Sequence, residues 1–165
     1  MKTLLLIRHA KSSWDSPGLN DFDRSLNERG KKDAPEMAKR LKDKDINIDL
    51  FVSSPAKRAR KTAKLFAEVF HEKKDKVQLV DDLYLATAPV FETAIKELND
   101  KYDTVALFSH NPGITEFANT LTHMRIDNMP TCSIFALQAD TDSWQSFAEA
   151  EKKFLFFDYP KNALP

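Results

Sequence analysis

The chain has 165 residues, of which 42% are hydrophobic and 30% charged, a composition typical of a globular protein that buries a core without disulfides. Its 25 basic and 25 acidic side chains balance, so no overall field attracts nucleic acid or an anionic membrane. Cys132 is the single cysteine, and the apolar run at the N-terminus is too short for a signal peptide or a membrane span. We therefore expect a cytoplasmic protein that binds neither nucleic acid nor membranes.

In chain order, short apolar runs alternate with segments whose apolar residues recur at helical spacing. We predict strands at residues 3–7, 49–53, 77–80, 104–108, 133–137 and 154–159. We predict helices at residues 26–44, 55–70, 90–98 and 114–121, and a long polar loop at residues 12–24 that carries Pro17 and Gly18. No repeat, low-complexity stretch or flexible linker interrupts this pattern, so residues 1–165 are expected to form one domain.

Two prolines bear on the ends and continuity of these helices. Pro35 lies inside the first helical segment and removes a backbone donor, so it is expected to kink or split that helix. Pro55 begins the second helical segment and is expected to occupy its first helical position.

The alternation of strands and helices also predicts the fold class. The first four strands alternate with helices, which indicates an α/β fold with a largely parallel sheet and helices on both faces. The last two strands are close in sequence, so this pair is expected to add one antiparallel strand.

Reactive side chains directly follow three of the first four predicted strands. Arg8 and His9 follow the first, Arg58 follows the second in the first turn of a helix, and His110 and Asn111 follow the fourth. Ligands of open α/β sheets bind where the strands end, so these side chains are expected to meet at one edge. A guanidinium fork and a helix N-terminus suit phosphate oxygens. One histidine can act as a neutral nucleophile, and a second can stabilise charge on the transferring group.

Each of these motifs alone has an ordinary structural explanation, as a strand end, a helix start or a turn. Their occurrence at successive strand ends favours a phosphoryl-binding site. His71 and His123 have no comparable context and are expected to be structural or surface residues. The four histidines and one cysteine show no paired metal-ligand spacing, and only 3 glycines are present, so neither a metal nor a nucleotide cofactor is expected.

Several segments together resemble the histidine phosphatase superfamily, the fold group of phosphoglycerate mutase, and most of all its short bacterial phosphohistidine phosphatases, called SixA. These segments are LLLIRHAKSSW (4–14), DFDRSLNERG (21–30), SPAKRARKTA (54–63), SHNPG (109–113) and MPT (129–131). The resemblance implies a three-layer α/β/α phosphoglycerate mutase-like fold and no metal cofactor. It also implies that His9 is the phosphorylated nucleophile and that Arg8, Arg58 and His110 hold the phosphoryl group.

Further residues near these motifs are weaker candidates. Ser12, Ser13 and Asn111 are candidate substrate-binding residues. Trp14 and Tyr84 either line the mouth of the site or serve in packing. Asp23 and Arg24 are interpreted as a structural ion pair near the entrance rather than a catalytic unit.

The sequence departs from the superfamily pattern at two places. Ala10 replaces the usual glycine after the nucleophile, a small change that still allows close packing. Larger relatives carry a glutamate after the third strand that acts as a general acid, and no acid stands at the matching place here. Asp81 and Asp82 come slightly early, and Tyr84 is a poor donor at neutral pH because its reference pKa is near 10. This departure argues against efficient hydrolysis of alkyl phosphate esters.

These observations lead to one functional hypothesis with two alternatives. The protein is predicted to be a phosphohydrolase that forms phosphohistidine on His9, with phosphohistidine on a partner protein as its substrate. The alternatives are a phosphatase of small phosphorylated molecules and a phosphate-binding module without turnover.

Overall fold

The computed structural model describes residues 1–15, 18–72 and 76–162. The strands in these ranges are β1 (Lys2–Arg8), β2 (Leu50–Ser53), β3 (Val77–Leu79), β4 (Thr104–Ser109), β5 (Ile134–Ala139) and β6 (Lys152–Asp158). The α-helices are α1 (Glu28–Asp43), α2 (Lys57–Val69), α3 (Ala88–Lys96) and α4 (Gly113–Leu121). All ten predicted elements are confirmed. The predicted loop contains a short 3-10 turn at Asp21–Asp23, and its Pro17 lies outside the described residues. Among the described residues, no helix combines the length and apolar character that a membrane span requires.

The strands form one sheet in the order β3-β2-β4-β1-β5-β6. Strands β1 to β4 are mutually parallel, whereas β5 runs antiparallel to both of its neighbours. The prediction of a mostly parallel sheet with one antiparallel strand is therefore confirmed. The register pairs Arg8 at the end of β1 with Ser109 at the end of β4, so the segments that follow these two strands emerge side by side.

Helices cover both faces of the sheet. Leu5 and Ile7 of β1 belong to a buried cluster that includes side chains of α1 and α2. Leu4 and Leu6 point to the other face and belong to a cluster that includes side chains of α3 and α4. Burying one such side chain contributes about 1.5–3 kcal/mol, so the alternating apolar residues of β1 stabilise both layers. The predicted three-layer α/β/α arrangement is confirmed.

Helix α1 continues through Pro35, so the predicted split does not occur. The side chain of Asn27 caps the helix by accepting a hydrogen bond from the Gly30 N–H at 2.8 Å. Its inner face is fully buried at Ala34, Met37 and other apolar positions. This packing and the cap offset the one backbone hydrogen bond that the proline removes.

Candidate active site

A pocket of about 440 Å³ opens at the edge of the sheet where β1, β2 and β4 end. Arg8, His9, Arg58 and His110 all line it, so the structure brings together the four residues predicted to handle a phosphoryl group. His9, Arg58 and His110 are only 5%, 3% and 2% exposed. Charges and hydrogen bonds among such groups act at short range with little screening by water.

The geometry of His9 favours a neutral ring with its lone pair on Nε2. Its Nδ1 lies 2.8 Å from the Ala10 carbonyl oxygen, and only a protonated Nδ1 can donate to that acceptor. The Ala10 N–H donates to Thr62 Oγ1 at 3.0 Å, which fixes the backbone that holds the ring. Burial lowers the pKa of His9 well below 6.5; the Ala10 hydrogen bond opposes this, and nearby cationic groups lower the pKa further. At neutral pH the ring is therefore an uncharged potential nucleophile.

Arg58 approaches this lone pair from the first turn of α2. Its Nε donates a long hydrogen bond of 3.4 Å to His9 Nε2, and its Nη1 and Nη2 donate to the carbonyl oxygen and carboxylate of Asp21 at 2.7 and 3.0 Å. A guanidinium has five N–H donors, so further donors remain for a bound anion. The helix starts at Lys57, and the prediction that Pro55 occupies its first position is wrong. The chain is still turning at Ala56, whose N–H donates to Ser54 Oγ at 3.2 Å.

His110 lies beside His9, with 5.2 Å between the two ring centroids. Its Nε2 is 2.7 Å from Ser54 Oγ, while its Nδ1 is buried without a protein partner. Burial and the charge of Arg58 lower the pKa of His110 to about 3, so the ring is neutral in the free protein. The negative charge of a bound phosphoryl group would raise this pKa again.

One nitrogen of the Arg8 guanidinium is hydrogen-bonded to the protein, and another has no protein partner. Its Nη1 donates to the Met129 carbonyl oxygen at 2.9 Å, whereas its buried Nε has no protein partner. Burial and the charge of Arg58 lower the pKa of Arg8 from its usual value. Two cationic side chains in one pocket lining favour the binding of an anion there.

The other predicted substrate-binding residues are placed differently. Ser12 lines the pocket and is largely buried. Asn111 also lines it, but its amide donates to Asn128 and Met129 while its carbonyl oxygen accepts from Thr115 at 2.6 Å. Ser13 lies in a neighbouring depression, and its hydroxyl accepts from the Asp15 N–H at 3.1 Å.

The candidate general acids do not supply a ready proton. Asp81 and Asp82 are exposed and line a different groove. Tyr84 lines the pocket, but its hydroxyl donates to Asp21 Oδ2 at 2.6 Å, and partial burial together with that bond raises its pKa above 10.0. Asp21 is the one carboxylate among the described residues that line the pocket. Partial burial raises its pKa, but bonds from Tyr84 and Arg58 outweigh that effect and the net shift is downward.

The contacts of Asp21 with Arg58 and Tyr84 were not predicted, and the predicted ion pair of Arg24 with Asp23 is wrong. Arg24 Nε lies 3.3 Å from Asp21 Oδ1, and no Asp23 contact to Arg24 accompanies it among the described ion pairs. The Arg24 guanidinium lies 3.5 Å from the ring centroid of Trp14, whose side chain is 77% exposed at the mouth of the pocket. Asp21 begins the segment DFDRSLNERG, but nothing in that segment indicates that its carboxylate contacts Arg58 and Tyr84, which are distant in sequence.

Elsewhere, His71 and His123 are exposed and lie outside the pocket lining. In the described ranges, no three His, Cys, Asp or Glu side chains come close enough to hold a metal ion.

Comparison with known proteins places this site in a family context. The sequence model of the histidine phosphatase superfamily (branch 1) matches residues 4–84. A chloroplastic protein of Arabidopsis thaliana, itself uncharacterized, is 34% identical over 152 residues, which are 87% of this chain and 69% of the plant protein. Phosphoserine phosphatase 1 of Hydrogenobacter thermophilus is 41% identical over 70 residues, which are 41% of this chain and 32% of that protein.

Among solved structures, the crystal structure of SixA from Agrobacterium tumefaciens, a suspected phosphohistidine phosphatase, superposes with a TM-score of 0.80. It is 26% identical, and the superposition covers 96% of this chain and 98% of that one. The two proteins share the phosphoglycerate mutase-like fold, as the resemblance in the sequence predicted.

Proposed function

Because this chain belongs to the histidine phosphatase superfamily, we propose that it is a phosphohydrolase acting through a covalent phosphohistidine on His9, and that phosphohistidine on a partner protein is its substrate. The observation that carries the proposal is the state of His9. Its Nδ1 is committed to Ala10, its ring is neutral at pH 7, and its Nε2 faces the Nε of Arg58. This arrangement suits nucleophilic attack beside a cation that binds the transferred group.

The proposed reaction has two balanced steps. The Nε2 lone pair attacks phosphorus, the new N–P bond forms, and the bond to the leaving group breaks with its electron pair. Arg8, Arg58 and His110 stabilise the phosphoryl oxygens, and the unpartnered Arg8 Nε and His110 Nδ1 are suitable donors. Water then attacks the phosphorus of the phosphohistidine. A new P–O bond forms, the N–P bond breaks with its electron pair left on His9 Nε2, and the protons of the water leave with the inorganic phosphate.

The substrate assignment depends on the leaving group. An alkoxide must receive a proton as it leaves, and a placed general acid is typically worth about 10²–10⁴ in rate. Within the described pocket lining, Asp21 is ionised and Tyr84 already donates to it, so neither is suited to that task. Transfer from one imidazole to another breaks and makes the same kind of bond, and it therefore needs little acid assistance. This chemical balance favours phosphohistidine as the substrate.

A second candidate function is hydrolysis of small phosphomonoesters. The partial match to a phosphoserine phosphatase favours it, as do Lys11 and Arg24 in the pocket lining, which suit an additional anionic group on a small substrate. A binding module without turnover is less consistent with the site, because oxyanion binding alone does not require a neutral histidine whose lone pair lies on Nε2 beside Arg58.

The discriminating experiment measures kcat/KM across leaving groups. A phosphohistidine protein, aryl phosphates of graded leaving-group pKa and alkyl phosphates are compared in the wild type and in Asp81→Asn, Asp82→Asn and Tyr84→Phe. We expect rates that decrease in that order of substrates and a steep slope that none of the variants alters. If kcat/KM of the wild type changed little with leaving-group pKa and one variant made that dependence steep, the substituted residue would be a general acid. That result would favour the small-phosphomonoester function.

A further inference from the structure

Asp21 contacts three separate side chains of the pocket. Its carbonyl oxygen and Oδ2 accept from Arg58 at 2.7 and 3.0 Å, Oδ2 also accepts from Tyr84 at 2.6 Å, and Oδ1 lies 3.3 Å from Arg24 Nε. The residue begins the 3-10 turn Asp21–Asp23, whose Asn20 cap accepts from the Asp23 N–H at 3.0 Å. A capped turn therefore presents one carboxylate to several groups from distant parts of the chain.

We propose that Asp21 is a positioning residue for phosphoryl transfer, which holds the Arg58 guanidinium in the orientation that reaches both His9 and the substrate. This inference rests on the proposed function. Because two nitrogens of Arg58 bind one residue, the plane of the fork cannot rotate without breaking at least one of these hydrogen bonds. With that plane fixed, Arg58 Nε faces His9 Nε2. Displacing a positioning contact by about 1 Å can cost about 10²-fold in rate.

The charge of Asp21 and its proposed positioning role should have opposite effects: the charge weakens oxyanion binding, whereas the positioning of Arg58 speeds phosphoryl transfer. Its carboxylate is negative in a pocket whose other charged lining residues are basic (Arg8, Lys11, Arg24 and Arg58), so it weakens the attraction for any phosphate or tungstate ion. Replacing it with a neutral residue makes the pocket more positive while it loosens Arg58. A positioning role therefore predicts slower transfer without weaker oxyanion binding. A merely structural role predicts that both properties decline together.

The test compares Asp21→Asn with Asp23→Asn, a matched change in the same turn at a residue outside the pocket lining. The phosphorylation rate of His9 is measured by rapid quench with a labelled phosphodonor, and tungstate is titrated as a competitive inhibitor. For Asp21→Asn we expect about a tenfold or greater loss of rate, with a tungstate inhibition constant that is unchanged or lower. For Asp23→Asn both values should stay within about twofold of the wild type.

Two further measurements separate the possible outcomes. In an Arg58→Lys background the added Asp21→Asn change should have little effect on the phosphorylation rate, because the guanidinium that Asp21 orients is already absent. Asp21→Glu should recover part of the lost rate. Equal rates in Asp21→Asn and wild type, or a parallel loss of rate and tungstate affinity, would overturn the positioning role alone. A wild type that forms no phosphohistidine would overturn the proposed function and, with it, this inference.

Discussion

Replacement of Arg58 by lysine keeps the positive charge but removes the planar fork of oriented N–H donors. Arg58 directs Nε at His9 Nε2 and two further nitrogens at Asp21, and a lysine ammonium cannot satisfy both directions from one atom. At least one oriented donor to the transferring group is lost. A preorganised donor of this kind contributes about 2.7–4 kcal/mol, so the rate of phosphorylation should fall about 10²–10³-fold. The retained charge should keep tungstate binding within about tenfold.

The assay is a single-turnover measurement of His9 phosphorylation in Arg58→Lys, with thermal unfolding as a check on the fold. Arg60→Lys is the matched control, since Arg60 lies in the same helix but outside the pocket lining. It should react at the wild-type rate. If Arg58→Lys also reacted within threefold of the wild type, the reasoning that assigns Arg58 an oriented role would be refuted.

Three further predictions concern the same pocket. His9→Ala should form no phosphoenzyme yet melt cooperatively and still bind tungstate, because Arg8, Arg58 and His110 remain; loss of tungstate binding would contradict this. Because the folded-state pKa values of His9 and His110 lie below 6.5, the unfolded chain binds more protons below about pH 6.5. The free energy of unfolding, measured by denaturant titration, should therefore decrease from pH 7 to pH 5, and it should decrease less steeply in His110→Gln. An equally steep decrease in that variant would show that burial of His110 does not contribute to the pH dependence. Activity should be unchanged after dialysis against EDTA, and a loss that added metal restores would show that a metal takes part.

The central part of the site could be predicted from the sequence because it depends on strand ends. Arg8 with His9, Arg58 and His110 each come after an apolar run, and the carboxyl ends of parallel strands meet at one edge of the sheet. No knowledge of side-chain packing is needed for that inference. The expectation that one of these histidines can act as a neutral nucleophile agrees with the burial of His9, which lowers its pKa well below 6.5.

The remaining features depend on contacts between segments distant in sequence. Asp21 stands in an irregular loop with no periodic pattern, and its partners Arg58 and Tyr84 lie 37 and 63 residues away. The ion pair of Arg24 with Asp21 rather than Asp23 depends on the 3-10 turn, which places the first residue of the turn toward the pocket. Pro35 fails to split α1 because tertiary burial, which its local sequence does not reveal, stabilises the helix around it.

The most direct measurement maps the phosphorylated residue itself. The wild-type protein is exposed to a labelled phosphodonor, quenched under alkaline conditions that preserve phosphoramidates, and digested for mass spectrometry. We predict acid-labile phosphate on His9. Phosphate found on His110 instead, or a protein that turns over substrate without any acid-labile phosphate, would contradict the assignment of His9 as the nucleophile.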